Sequence, residues 1–135
     1  MPEPARCEPT PPTDAPRILH VDDDPLILQL SSRILQVAGF SVTTTVDPAE
    51  FRRLSREGGF ALFIVDLLMP ETDGLSLCRE LRLAGRTEPL LVLSCKPLAE
   101  AEQKAIAASA AGFMTKPFGP QELIRRVREC LARRP

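Results

Sequence analysis

From Arg17 onward the chain alternates between short apolar runs and amphipathic stretches, and four of its five apolar runs end on residues able to do chemistry. Ile18-Leu19-His20-Val21 stops at Asp22-Asp23-Asp24, and Phe60-Ala61-Leu62-Phe63-Ile64-Val65 stops at Asp66. Pro89-Leu90-Leu91-Val92-Leu93 stops at Ser94, and Gly112-Phe113-Met114-Thr115 at Lys116-Pro117. The remaining run, Phe40 to Val46, is β-branched and alternating. Continuous apolar runs of this length fit strands buried on both faces, as in a parallel sheet. Strands separated by helical stretches predict an α/β fold: a doubly wound, five-stranded parallel sheet with five helices on its two faces.

The helical stretches carry their own start and stop signals. Asp24 is placed to cap a helix from Pro25 to Ala38, with Pro at its first position and Gly39 at its end. Leu26, Leu30, Ile34 and Val37 recur at helical spacing and mark the face expected to be buried. Asp47-Pro48-Ala49-Glu50 reads as a capping box opening a short helix to about Arg56. Asp73-Gly74 opens a third helix with Leu75, Cys78 and Leu81 inward, closed by Gly85. An Ala-rich stretch over residues 98–111 predicts a fourth, and Gln121 to Arg134 a fifth with Leu123, Val127, Cys130 and Leu131 inward.

The first 16 residues hold six of the 14 prolines and almost no large apolar side chain. Such a segment cannot bury enough surface to offset the entropy of ordering it. Residues 1–16 are therefore expected to be a disordered tail or a linker, and residues 17–135 the folded domain. No apolar run approaches the roughly 18 residues of a membrane span, and the N-terminus lacks the apolar stretch of a secretory signal. A net charge of −1 argues against a dedicated nucleic-acid surface. The expectation is a cytoplasmic protein with no membrane and no direct nucleic-acid contact.

The four cysteines, Cys7, Cys78, Cys95 and Cys130, form no C-x-x-C pair. With His20 as the only histidine they make no zinc set, so reduced, structural thiols are expected. His20 reads as a packed or edge-exposed strand residue rather than a phosphorylated or metal-bound one. The arginines between Arg125 and Arg134 read as a solvated helix face.

Ligands of open parallel sheets bind beyond the carboxyl ends of the strands. The fold thus gathers several carboxylates, one hydroxyl and one ammonium at one edge. Carboxylates held together repel, and a divalent cation relieves that repulsion. Mg2+ takes one or two carboxylates together with water and phosphate oxygens. A carboxylate can also act as a nucleophile and form an aspartyl-phosphate, with a metal ion and a Lys neutralising the phosphoryl oxygens.

Taken in this order and at these strand ends, four motifs resemble the receiver domain of two-component response regulators. They are Val21-Asp22-Asp23; Asp66-Leu67-Leu68-Met69-Pro70 with Asp73-Gly74; Leu93-Ser94; and Lys116-Pro117-Phe118. The chain is similar in particular to chemotaxis-type single-domain receivers. The resemblance implies a flavodoxin-like sheet in the order 2-1-3-4-5. It implies Asp66 as the phosphorylated residue, with Mg2+ held by Asp22, Asp23, Asp66 and the backbone carbonyl of Leu68. Ser94 and Lys116 would contact the phosphoryl group, Phe113 would be the switch aromatic, and Pro117 would follow a cis bond. The donor would be a sensor histidine kinase or a histidine phosphotransfer protein. Phosphorylation would switch the surface made by the fourth helix, the fifth strand and the fifth helix for protein–protein signalling, in a monomer or a weak phosphorylation-dependent dimer.

Phe113 departs from the Tyr or His common at its position, and Cys95 from a common Ala. On this reading the protein is a switch that catalyses only its own phosphoryl transfer and slow dephosphorylation. A degenerate receiver acting as a phosphorylation-independent binding module is the alternative. An aspartate-nucleophile phosphatase is a further one, disfavoured because Leu68 stands where such enzymes usually carry a second Asp. The residues fit either a stand-alone regulator or a piece of a longer protein.

Overall fold

The computed structural model describes residues 15–67, 69, 73–95, 99 and 110–132. Five strands, β1 (Arg17–Val21), β2 (Ser41–Thr45), β3 (Leu62–Asp66), β4 (Leu90–Ser94) and β5 (Gly112–Thr115), form one parallel sheet in the order β2-β1-β3-β4-β5. Four helices are described: α1 (Pro25–Val37), α2 (Pro48–Glu57), α3 (Gly74–Leu83) and α4 (Pro120–Ala132). The alternation predicts the parallel α/β sheet, and the strand order is the flavodoxin-like one that the resemblance implies. The stretch expected to form a further helix, 98–111, lies almost wholly outside the described residues, as do residues 1–14 of the Pro-rich segment. Order begins no later than Pro16, whose carbonyl accepts a hydrogen bond from Ser41 N–H at 2.9 Å.

The sheet divides the core in two, as the side-chain alternation of strands requires. One face packs Leu19, Val21, Phe63, Val65 and Val92 against Phe51 of α2 and Leu77, Cys78 and Leu81 of α3. The other packs Ile18, Leu62, Ile64, Leu91, Leu93 and Met114 against Ile34 and Leu35 of α1 and Leu123, Val127 and Cys130 of α4. The inward residues of α3 and α4 are those the spacing predicts, with Leu77 added and with Leu75 and Leu131 partly buried at the margins.

The buried face of α1 differs from the expectation. Its inward residues are Leu28, Ser31, Ile34 and Leu35, whereas Leu26 and Val37 are 71 % and 76 % exposed and Leu30 is also exposed. At about 100° per residue, Leu26, Leu30 and Val37 form a second stripe opposite the first. Both stripes carry apolar residues, so periodicity alone cannot choose between them. The choice follows a polar contact: Ser31 Oγ meets His20 Nδ1 of β1 at 2.7 Å inside the core.

The opening of α2 differs as well. Asp47 caps it by accepting from Ala49 N–H at 2.9 Å. The reciprocal half of a capping box is absent: Asp47 N–H donates to Thr45 Oγ1 at 3.0 Å, and Glu50 faces Arg53 instead. A hydroxyl already seated at the end of β2 serves the donor that Glu50 would have reached.

Candidate functional site

All five strands run in one direction, so the carboxyl ends of β1, β3, β4 and β5 share one edge of the sheet. Val21 pairs with Val65, Asp66 with Leu93, and Ser94 with Thr115. Asp22 and Lys116, one residue beyond Val21 and Thr115, therefore arrive beside Asp66 and Ser94. Backbone bonds fix these ends: Asp22 N–H donates to Thr45 O at 3.3 Å, Leu67 N–H to Leu93 O at 2.9 Å and Lys116 N–H to Ser94 O at 2.7 Å.

Asp22, Asp66 and Ser94 are buried, whereas Asp23 is exposed. One carboxylate oxygen from each of Asp22, Asp23 and Asp66 can be chosen so that all lie within 4.8 Å of one another. Lys116, only 14 % exposed, places Nζ 2.8 Å from Asp22 Oδ2 and 3.1 Å from Asp66 Oδ1. Asp22 uses its other oxygen to accept from Asp24 N–H at 2.9 Å. Asp24 is the α1 cap, accepting from Leu26 N–H at 3.0 Å, and stands apart from the cluster as its sequence position suggested. Asp66 Oδ1 is buried and, apart from its ion pair with Lys116, has no hydrogen-bond donor aligned on it.

The electrostatics follow from this crowding. Burial pushes the Asp66 carboxyl up to about 6, the negative charge of Asp22 pushes the same way, and Lys116 pulls against both. Burial pulls Lys116 down, but its attraction to Asp22 and Asp66 outweighs that and holds the ammonium above its usual value. Three carboxylates that converge, one of them the under-neutralised buried Asp66, offer the hard oxygen donors that Mg2+ takes together with water and phosphate oxygens. The residues present fit that ion.

The Lys116–Pro117 bond is cis, as expected. Phe113 lies on the edge strand β5 and is 36 % exposed. Leu68 lies outside the described residues. Cys95 is an exposed thiol beside Ser94, while Cys78 is a buried one that burial pushes up to about 11, consistent with an inert structural role.

Sequence reasoning missed the layer beneath the carboxylates. His20 is fully buried two residues before Asp22, and burial first, then the charge of Lys116, holds its imidazole down at about 3. Ser31 Oγ also contacts Leu28 O at 3.3 Å. Whichever tautomer the ring adopts, His20 Nε2 is a buried nitrogen without a hydrogen-bond partner. The sequence held no signal for it, since the spacing placed Ser31 off the face of α1 expected to be buried.

Residues 18–128 match the family model described as response regulator receiver domain. The chain is 37 % identical over 120 residues to the DNA-binding dual master transcriptional regulator RpaA of Synechocystis, covering 87 % of this chain and 50 % of that protein. It is 39 % identical over 120 residues to the protein PetR of Rhodobacter capsulatus, covering 89 % of this chain and 50 % of that one. The chain thus spans about half the length of the curated relatives it matches. Among solved structures, the chemotaxis protein CheY4 of Vibrio cholerae superposes with a TM-score of 0.80 at 30 % identity, covering 86 % of this chain and 98 % of that one.

Proposed function

The chain belongs to the response regulator receiver family, and from that membership and the geometry of the acidic edge we propose that Asp66 is its phosphoryl acceptor. The observation that carries this reading is the setting of Asp66: buried at the end of the central strand β3, beside Asp22 and Asp23, and paired with Lys116. A carboxylate raised to about 6 is still ionised at neutral pH, and is more basic than an ordinary Asp. That suits a nucleophile. A degenerate module has no need of three convergent carboxylates and a buried lysine.

The donor is a phosphohistidine on a sensor kinase or a phosphotransfer protein. An Asp66 carboxylate oxygen attacks the phosphorus, an acyl-phosphate bond forms, and the P–N bond to the donor imidazole breaks. The leaving imidazole keeps the bonding pair and leaves neutral once that nitrogen is protonated. Asp22, Asp23 and Asp66, with the Leu68 carbonyl, would hold Mg2+, which supplies charge neutralisation for the phosphoryl oxygens when bound. Lys116 carries the remaining positive charge to the same oxygens.

Ser94 then turns toward the new phosphoryl group and Phe113 reorients. The surface around β5 and α4 shifts between two states and is read by a protein partner. The domain acts as a cytoplasmic switch and not as a metabolic enzyme. The DNA binding in the name of RpaA belongs to that protein, and the near-neutral charge of this chain favours signalling through protein contacts.

Titration with beryllofluoride in the presence and absence of Mg2+ tests the reading. Saturable, Mg2+-dependent binding that is lost in Asp66→Asn is expected. Binding of equal strength in that variant would refute the assignment of the acceptor.

A further inference from the structure

Gly74 stands at the first position of α3, after the Asp73 cap, and its backbone does not enter the left-handed region that usually calls for glycine. Space makes the demand instead. A Cβ built on Gly74 would overlap the carbonyl oxygen of Asp66, and would lie 2.7 Å from Leu67 Cα and 3.0 Å from the Asp66 carbonyl carbon. All three are backbone atoms of the acceptor and its neighbour, so no flexible side chain can give way. Gly39 and Gly85, by contrast, have nothing within 4 Å of such a Cβ.

The backbone of Leu67 is held from two sides. On one, Leu67 N–H donates to Leu93 O of β4 at 2.9 Å; on the other, Gly74 N–H donates to Leu67 O at 3.1 Å. The start of α3 therefore rests directly on the backbone that aims the Asp66 carboxylate at Lys116 and Asp22. A methyl group at position 74 must push the helix or this backbone away, and β4 restrains the backbone.

We infer that Gly74 is a positioning residue for phosphoryl transfer, its missing side chain setting the seat of α3 against the Asp66–Leu67 backbone and thereby the aim of the acceptor carboxylate. This rests on the reading of Asp66 as acceptor. Misplacement of a reacting group by about 1 Å can cost on the order of 10²-fold in rate.

The test compares wild type, Gly74→Ala and Leu81→Ala, the last removing a buried side chain of the same helix away from the site. Melting temperature is measured for each, with the rate of phosphorylation by acetyl phosphate at saturating donor and Mg2+. The expected result is a fall on the order of 10²-fold in the maximal rate of Gly74→Ala. Leu81→Ala should keep the wild-type maximal rate at a temperature where it is folded, even if its melting temperature falls as far.

A wild-type maximal rate in Gly74→Ala overturns the inference, as does an equal loss in folded Leu81→Ala. If Gly74→Ala does not fold, the wild-type amide spectrum decides. On titration with beryllofluoride and Mg2+ the Gly74 resonance should move more than those of Gly39 and Gly85, and an unmoved Gly74 resonance overturns the inference. A wild-type chain that accepts no phosphoryl group refutes the acceptor reading and the positioning role with it. A wild-type chain that labels normally beside an equally fast Gly74→Ala refutes the positioning role alone.

Discussion

Lys116 Nζ lies 3.1 Å from Asp66 Oδ1, an ion pair between the fifth and third strand ends, and the same ammonium lies 2.8 Å from Asp22 Oδ2. One cation thus answers two buried carboxylates. Removing it leaves both carboxylates under-neutralised, which raises the local demand for a metal ion, and on the proposed function it also deprives the phosphoryl oxygens of a partner.

Lys116→Met is therefore expected to move two readouts in opposite directions. Mg2+ binding, measured by calorimetry, should tighten about 10-fold because a competing positive charge is gone. The rate of phosphorylation should fall by about 10² or more because that charge also serves the transition state. Without Mg2+ the variant should melt at a lower temperature, since breaking a buried pair costs about 3–5 kcal/mol, and Mg2+ should restore much of the loss. Weaker Mg2+ binding in the variant would contradict this picture.

The pH dependence of stability without Mg2+ has two opposed parts. Asp66 titrates near 6 in the folded chain and near 3.8 when unfolded, so between these values the native state binds the extra proton and stability falls as pH rises. His20 titrates at about 3 folded and near 6.5 unfolded, so between these values the unfolded chain binds the extra proton and stability rises with pH. Asp66→Asn removes the first part only. In urea unfolding it should be more stable than wild type by on the order of 2–3 kcal/mol at pH 7, a difference that fades by pH 4. It should also lose stability on acidification below pH 6.5 more steeply than wild type. A difference that stays constant across this range would contradict the origin assigned to the Asp66 shift.

The two stripes of α1 predict different responses to substitution. Leu35 is fully buried against the sheet, and Leu35→Ala should cost about 2–5 kcal/mol by chemical denaturation. Leu26→Ser and Val37→Ser change exposed side chains and should alter stability by no more than about 0.5 kcal/mol. A large loss in either serine variant would restore the face that spacing alone suggested.

The α1 helix also shows where the sequence stops being legible. The strands could be read because a parallel strand buried on both faces must be apolar throughout, as β3 is from Leu62 to Val65. The site could be read because parallel topology carries all strand ends to one edge, so Asp22, Asp66, Ser94 and Lys116 needed no separate argument to be near one another. The α1 face could not, because two apolar stripes competed and the deciding contact joins two polar residues, His20 and Ser31, 11 positions apart. The missing half of the α2 capping box has the same character, since the threonine that replaces it belongs to the preceding strand. Gly74 was legible as part of a motif, but the reason for a glycine there is a backbone approach that only three dimensions reveal.

The most direct test of the central claim is the intact mass of the chain after incubation with acetyl phosphate, run with and without Mg2+ beside Asp66→Asn. The account predicts a gain of one phosphoryl group in the wild type with Mg2+, and none in Asp66→Asn or when Mg2+ is chelated. A phosphoryl group gained equally by Asp66→Asn, or gained without Mg2+, would contradict it.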